Sequence, residues 1–278
     1  AAVTYILTTE DSASFWDCGE FIATANNLLV GHPPGAPFFM IVGRFFAILA
    51  PSPDMVAKMI NIMSALASAF TILFLFWTIT HLAKKIFIDN IEGGMEQTWR
   101  TWSVIGAGAV GALAYTFSDT FWFSAVEGEV YAMSSLFTAI VFWAILKWEN
   151  VADEPHSNRW IVFIAYMMGL SIGVHLLNLL CIPAIVMVYY YKKYEVTTKK
   201  TIYALLISCA IIIAILYGII PGLVKVASYF ELFFVNKCGF GYNSGAILYM
   251  ILLLVAVVWG IWYTHTHGHR IWNLIVTS

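Results

Sequence analysis

Charge is scarce in this 278-residue chain: Lys, Arg, Asp and Glu make up 11% of it, against about a quarter in soluble domains. Hydrophobic residues reach 61% and the mean hydropathy is +0.81, which excludes an ordinary water-soluble fold. Basic residues are not in excess either. The formal net charge is −2 and no basic stripe with interleaved aromatics occurs, so nothing points to a nucleic acid as partner. The four cysteines, Cys18, Cys181, Cys209 and Cys238, lack the spacing of a metal site or a disulfide framework, and only Cys18 and Cys238 could share a compartment. No cleavable signal peptide is visible in these residues. The chain opens on AAVTYILTT, which reads as the last turns of an apolar helix, and closes on IWNLIVTS, which reads as the start of another. The expectation is therefore a piece of a longer protein, cut at both ends.

What the sequence does hold is long apolar runs, and about 20 such residues cross a bilayer core. Spans are predicted at Met55 to Ala83, Val104 to Phe123, Tyr131 to Leu146, Ile202 to Ile220 and Ala246 to Tyr263. The run from Trp160 to Tyr191 is too long for one crossing and should divide at Gly173-Val174-His175. Gly35 to Ala50 is ambiguous, because about 16 helical residues reach only about 24 Å, short of a core of about 30 Å. Charge resolves it. If that segment lies along the outer interface, one side receives Lys84, Lys85, Arg100, Lys147, Arg159, Lys192, Lys193, Lys199, Lys200 and Arg270, while the other keeps only Arg44, Lys58, Lys225 and Lys237. The fold class read from this pattern is an all-α polytopic membrane protein, a bundle of about seven to eight transmembrane helices with interfacial helices in its first outer loop. It forms one transmembrane domain: residues 1–8 end a first span, 9–54 are the outer loop, 55–263 hold the further spans, and 264–278 are the cytoplasmic edge and the start of the next span.

The same topology gathers the unusual polar residues on the outer face. The stretch TTEDSASFWDCGEFIATANNLLVGHPPGAP carries Asp17 and Glu20 three residues apart, which on a helix puts both carboxylates on one side. Such a pair suits base catalysis, one acid acting and the other positioning or raising its partner's pKa; the competing reading is a solvated, helix-capping loop. His32 opens HPPGAP, where prolines stiffen the backbone and fix where the ring points, or simply stop a helix. A second cluster runs from Asp119 to Glu127 and Glu129 in a connection too short for a free loop. His175, with Asn178, interrupts an apolar run, either as a packed histidine or as part of the site. The Pro221 to Gly245 loop is expected on the same face. His265 and His269 have the spacing of a metal pair on a helix, but no carboxylate or cysteine is near to complete a site, and a basic membrane-edge segment explains them. Aromatics at span ends, such as Trp99, Trp102 and Tyr189 to Tyr191, fit an interfacial belt.

The order of SFWDCGEF, HPPGAP, an interfacial helix, a long span ending in basic residues, and AVEGEVYA resembles the GT-C membrane glycosyltransferases. More narrowly it resembles a bacterial family of uncharacterised polytopic proteins related to the animal transmembrane protein O-mannosyltransferases. The resemblance implies that Asp17 matches the catalytic acid of the first outer loop, with Glu20 as its partner, His32 where many such enzymes place a basic residue before Pro-Pro, Glu129 as the acid of the second outer motif, and His175 as a further match. Cys18 stands where the mannosyltransferase pattern has an acid, so whether Asp17 or Glu20 is the base stays open. It also implies an inverting glycosyltransferase moving mannose or another hexose from a polyprenyl-phosphate donor in the membrane lipid to a hydroxyl of a protein or glycan acceptor. The place would be the periplasmic face of a bacterial inner membrane. Positive charge for the leaving phosphate is expected from the outer-face residues His32, Arg44, Lys58, Lys225 and Lys237, with Glu127, Glu129 and His175 as further substrate contacts. No cofactor is required by the sequence, though the acids could hold a divalent metal. Two other classes fit the composition: a proton- or ion-coupled transporter, whose ionisable residues should lie near the midplane, and a catalytically silent subunit of a membrane complex. Convergence of Asp17 and Glu129 on one cavity beside a lipid-sized groove separates the enzyme from the scaffold.

Overall fold

The structure, a computed structural model, describes residues 1–87, 94–268 and 270–277, leaving aside the side chains of residues 94–97, 270, 271 and 275. Every regular element among them is a helix. The chain forms two compact units, Ala1–Asp153 with Ile164–Cys181, and Glu154–Phe163 with Ile182–Ser278.

The first unit starts with α1 (Ala2–Leu7), then α2 (Cys18–Asn27) and α3 (Pro37–Ile48), short helices in a segment broken by Pro33, Pro34 and Pro37. Next come α4 (Val56–Phe87), α5 (Gly94–Thr116), α6 (Asp119–Val126) and α7 (Val130–Val151). Helix α4 is the central post, with α1, α3, α5, α6 and α7 all packed on it. It can be so because the middle of its buried face carries the small residues Ser64, Ala65, Ala67, Ser68 and Thr71, which let neighbouring backbones approach. Lys84 and Lys85 close its last turn, where cations suit the helix dipole. A core of Cys18, Phe21, Phe39, Met40, Ile60, Met63, Val130, Phe137 and Val174 ties α2 and α3 to the first turns of α4 and α7. Tyr5 donates from its hydroxyl to the Thr116 carbonyl at 2.9 Å, pinning α1 to the end of α5.

Helix α8 (Asn158–Ile172) ends at Gly173, and a 3-10 segment, Leu176–Cys181, leads into α9 (Ile182–Lys193). The apolar run thus divides at Gly173-Val174-His175, as its length requires. In the second unit, α10 (Thr198–Ile213), a π turn over Ala214–Ile219 and α11 (Ile220–Asn236) form one continuous helical stretch. Here the expectation of a loop from Pro221 to Gly245 fails: the chain stays helical to Asn236, and α12 begins at Ser244. Pro221 has no N–H for the carbonyl four residues back, and the widened π turn just before it absorbs the loss without ending the helix. Helix α12 (Ser244–Thr266) packs on α11, and α13 (Arg270–Thr277) on α12. Of the histidine tract, His265 lies in the last turn of α12, whereas His269 falls outside the described residues.

Five stretches among the described residues are long and apolar enough to cross a membrane: Pro53–Phe87, Val130–Val151, Leu176–Lys193, Thr198–Asn236 and Ser244–Thr266. Helix α12 leaves Leu254 64% and Trp259 60% exposed, a surface stable in hydrocarbon and untenable in water. The molecule is an all-α polytopic membrane protein.

Candidate active site

Asp17 sits at the N-cap of α2, yet its carboxylate makes no capping hydrogen bond and stays available to the space beside the helix. The residue before it, Trp16, is held at φ 64°, a left-handed backbone that a bulky side chain rarely adopts, so the approach to Asp17 is strained. One turn into α2, Glu20 faces the returning chain. Its Oε1 accepts the His32 backbone N–H at 2.7 Å, and its Oε2 lies 3.1 Å from His32 Nδ1. An ionised carboxylate only accepts, so Nδ1 carries the proton and Nε2 is left pointing the other way, 4.0 Å from Asp17 Oδ2. The two bonds from His32 hold the Glu20 carboxyl below the usual range. Asp17 and Glu20 are therefore placed differently although both belong to one motif: Glu20 orients the ring, and Asp17 faces the ring's far side. The turn that returns His32 is closed by Gly35 N–H donating to the His32 carbonyl at 2.8 Å.

The second acidic cluster arrives between α6 and α7. Glu127 and Glu129 are extended at φ −125° and −116°, the first ending α6 and the second capping α7. Both are buried, 4% and 5% exposed. Gly128 between them has to be glycine, because a Cβ there would lie 2.9 Å from Asn61 Oδ1 and 3.2 Å from Ile22 and Ile60. Burial raises the Glu127 carboxyl, with Glu10 adding to the rise and the Ser14 hydroxyl opposing it. Glu129 is pushed up to about 7, chiefly by burial, then by the charges of Glu127 and Asp17, with His32 pulling the other way. At neutral pH it holds a proton about half the time.

His175 comes from the turn after α8. The Phe38 N–H donates to the Gly173 carbonyl at 2.7 Å, satisfying a free donor at the start of α3 and locking the turn to it. Gly173 permits this approach, since a Cβ would meet the Phe38 Cβ at 2.9 Å. His175 Nδ1 accepts the Leu177 N–H at 3.1 Å, its ring lies 5.4 Å from that of Tyr131, and burial lowers its pKa, so the imidazole is neutral.

Asp17, His32, Glu129, Tyr131 and His175 line one cavity of about 90 Å³, floored by Phe21 and Val174. Beside it, in the same unit, an apolar groove of about 860 Å³ runs between α4, α5 and α7, lined by residues such as Leu75, Ile79, Tyr115, Phe142, Leu177 and Leu180. The two are neighbours along the chain: Tyr131 and His175 face the cavity, and Ser135 and Leu177, one turn and two residues on, face the groove. Two basic residues expected here are engaged elsewhere. Arg44 donates to the backbone carbonyl and side chain of Asn26, covering the C-terminus of α2, and Lys58 Nζ pairs with Asp11 Oδ1 at 2.7 Å. Glu127 is adjacent but turns toward Glu10 and Ser14. Ligand atoms of Asp17, Glu20 and His32 all lie within 4.8 Å of one another, a spread that ligands of one divalent ion at about 2.0–2.6 Å can have.

Sequence reasoning missed Asn61. It is fully buried on α4, and its amide donates to the carbonyls of Glu10 and Ser12 at 2.8 and 3.0 Å, fastening the loop that leads to Asp17. An asparagine near the start of an otherwise apolar span was the available signal. Cys18, where an acid was expected from the related pattern, is 0% exposed with burial raising its thiol pKa, so it serves the core.

The sequence model of the protein O-mannosyl-transferase TMEM260 N-terminal domain matches residues 17–198, more than half of the chain. The chain belongs to the TMEM260 N-terminal domain family. The match begins at Asp17 and includes Glu20, His32, Glu127, Glu129 and His175. Among similar proteins, protein O-mannosyl-transferase tmem260 of Dictyostelium discoideum is 27% identical over 182 residues, covering 63% of this chain and 20% of that protein. Protein O-mannosyl-transferase TMEM260 of Mus musculus is 26% identical over 171 residues, 62% of this chain and 22% of its own. The chain thus spans about a fifth of the length of these TMEM260 relatives. No solved structure matches it.

Proposed function

We propose that this chain is the membrane-embedded catalytic part of an inverting glycosyltransferase of the GT-C type, moving a hexose from a polyprenyl-phosphate donor to a protein Ser or Thr hydroxyl. The activity named for the TMEM260 relatives makes mannose the first sugar to test. The observation that carries the reading is the convergence of Asp17, His32 and Glu129 on one small cavity next to an apolar groove between helices. A silent scaffold has no use for a buried acid, Glu129, facing a second acid, Asp17, beside such a groove. A proton-coupled transporter would place its acids near mid-span, whereas Asp17 and Glu129 stand at helix N-caps.

In this reading the donor's polyprenyl tail lies in the groove and its sugar phosphate in the cavity. Asp17 removes the proton of the acceptor hydroxyl as that oxygen attacks the anomeric carbon from the face opposite the phosphate. The anomeric C–O bond breaks, and polyprenyl phosphate leaves with the electron pair. Glu20 is not the base, since both its oxygens are engaged by His32; it holds Nδ1–H and turns Nε2 toward the cavity, where the ring, when Nε2 also carries a proton, donates to the departing phosphate. Glu129, carrying a proton for much of the time, donates a hydrogen bond to a sugar hydroxyl or phosphate oxygen, and neutral His175 with Tyr131 borders the sugar. If Asp17, Glu20 and His32 hold a divalent ion, it supplies further electrophilic stabilisation of the phosphate. We assign the site to the periplasmic face of a bacterial inner membrane, on the balance of basic residues between the two sides.

The test is full-length protein in liposomes supplied with polyprenyl-phosphate mannose and a Ser/Thr peptide. Transfer with inversion is expected, and Asp17→Asn should lower its rate by about 10²- to 10⁴-fold, as loss of a general base does. Undiminished transfer in Asp17→Asn overturns its role, and transfer from a nucleotide sugar alone overturns the lipid donor.

A further inference from the structure

The first unit has a second polar cavity, of about 640 Å³, lined by Trp77, His81 and Lys84 of α4, Trp143, Lys147 and Asn150 of α7, and part of α5. At about 1.5 Å of rise per residue, His81 lies about 30 Å along α4 from Asn61, the thickness of a hydrocarbon core. The cavity therefore opens at the membrane edge opposite the acidic site. Its character is the reverse of that site. Lys147 Nζ is held 5.5 Å from the centre of the Trp143 ring and forms no ion pair among the described residues. The carboxylate that faces His81, that of Glu149, is occupied by Lys85 Nζ at 2.5 Å. His81 Nε2 is buried with no hydrogen-bond partner. Trp77 and Trp143 lie 5.8 Å apart at the same level, and tryptophans favour headgroup depth.

A buried nitrogen without a partner is unfavourable unless something else satisfies it. A complement that satisfies His81 as its Nε2–H tautomer brings an acceptor oxygen, adds a negative charge for Lys147, and resides where the tryptophans do. A phosphate meets the first two requirements, and a phosphate carried by a lipid meets all three. We infer that this cavity binds the phosphodiester of an anionic phospholipid, with the phosphate between Lys147 and His81 and the first acyl carbons along Trp77, Val104 and Ile105. The site is independent of sugar transfer. It anchors the end of the α4–α7 pair remote from Asp17, the same two helices whose other ends carry Asn61 and Glu129.

The experiment uses the delipidated full-length protein in detergent and measures binding of dioctanoyl phosphatidylglycerol, dioctanoyl phosphatidylcholine and inorganic phosphate by calorimetry and native mass spectrometry. Phosphatidylglycerol should bind saturably, and Lys147→Gln should weaken it about tenfold, the loss of one charged hydrogen bond. Lys147→Arg should retain binding, which separates a lost contact from a misfolded bundle, and Lys199→Gln, a lysine elsewhere, should leave it unchanged. Equal binding of phosphatidylcholine overturns the inference, as does Lys147→Gln behaving as wild type. Inorganic phosphate binding as tightly as the lipid assigns the cavity to a soluble phosphate compound and overturns the lipid as its source.

Discussion

Replacing Glu129 by Gln should make the protein more stable above neutral pH, because the fold keeps this carboxyl where its charge is unwelcome. Burial, with Glu127 and Asp17 adding, lifts its pKa from an ordinary 4.5 to about 7. Between those values the native state binds more protons than the unfolded chain, so this group's contribution to stability is complete below about pH 4.5 and declines until about pH 7. The difference between the two pKa values, at about 1.36 kcal/mol per unit, amounts to roughly 3 kcal/mol against the folded state at pH 8. Glu129 is 5% exposed, so solvent screening removes little of this. Gln keeps the shape and the carbonyl that accepts the Val130 N–H, and deletes only the titration. Thermal unfolding of wild-type and Glu129→Gln protein in one detergent, from pH 4 to pH 8, should give midpoints that coincide at the acid end and diverge with rising pH, at about 2–4 °C per kcal/mol. Taking the difference removes most of the Glu127 titration, which is present in both proteins; what remains is its coupling to Glu129, which acts in the same direction. A constant offset across that range, or a less stable variant at pH 8, would refute the reasoning. Lost transfer activity in the stabilised variant would show why the acid is kept.

Three further changes probe the neighbouring residues. Glu20→Gln leaves an oxygen for the His32 N–H but removes the anion that orients the ring; transfer should slow about 10- to 100-fold, as when carboxylates behind metal-bound histidines are removed, and a rate equal to wild type refutes the orienting role. Gly128→Ala pushes a methyl to 2.9 Å from Asn61 Oδ1, and should destabilise by about 1–3 kcal/mol with a fall in activity, measured by unfolding and transfer on the same preparation. Lys58→Met breaks an exposed pair with Asp11, whose side chain is 84% accessible; stability should shift by less than about 1 kcal/mol and transfer should persist, whereas loss of donor binding would return Lys58 to the site.

The helical, membrane-spanning class was legible because it depends on composition and run length, which no tertiary contact alters. The break at Gly173-Val174-His175 was equally readable, since a run that long cannot cross once. The Pro221 to Gly245 segment was misread for a local reason: proline and glycine usually punctuate a helix, and only the π turn over Ala214–Ile219 lets the chain carry Pro221. Within the site, acids and histidines were conspicuous against an apolar background, so Asp17, His32, Glu129 and His175 could be chosen from the sequence. Arg44 and Lys58 were chosen with them on charge alone, and charge says nothing of which partner a long side chain reaches.

The sequence by itself determined that this chain lives in a bilayer and that its few acids demand a reason, because hydrocarbon penalises both exposed backbone and unpaired charge wherever they fall. The tertiary structure alone decided which acid His32 reaches. Asp17 and Glu20 share a motif and differ in surroundings because the HPPG turn folds His32 back onto one of them, a contact across 12 positions. Glu129 is perturbed because α4, through Asn61 and Ile60, closes on Gly128 and keeps water out. Both outcomes rest on distances between residues remote in sequence, which periodicity and composition do not encode.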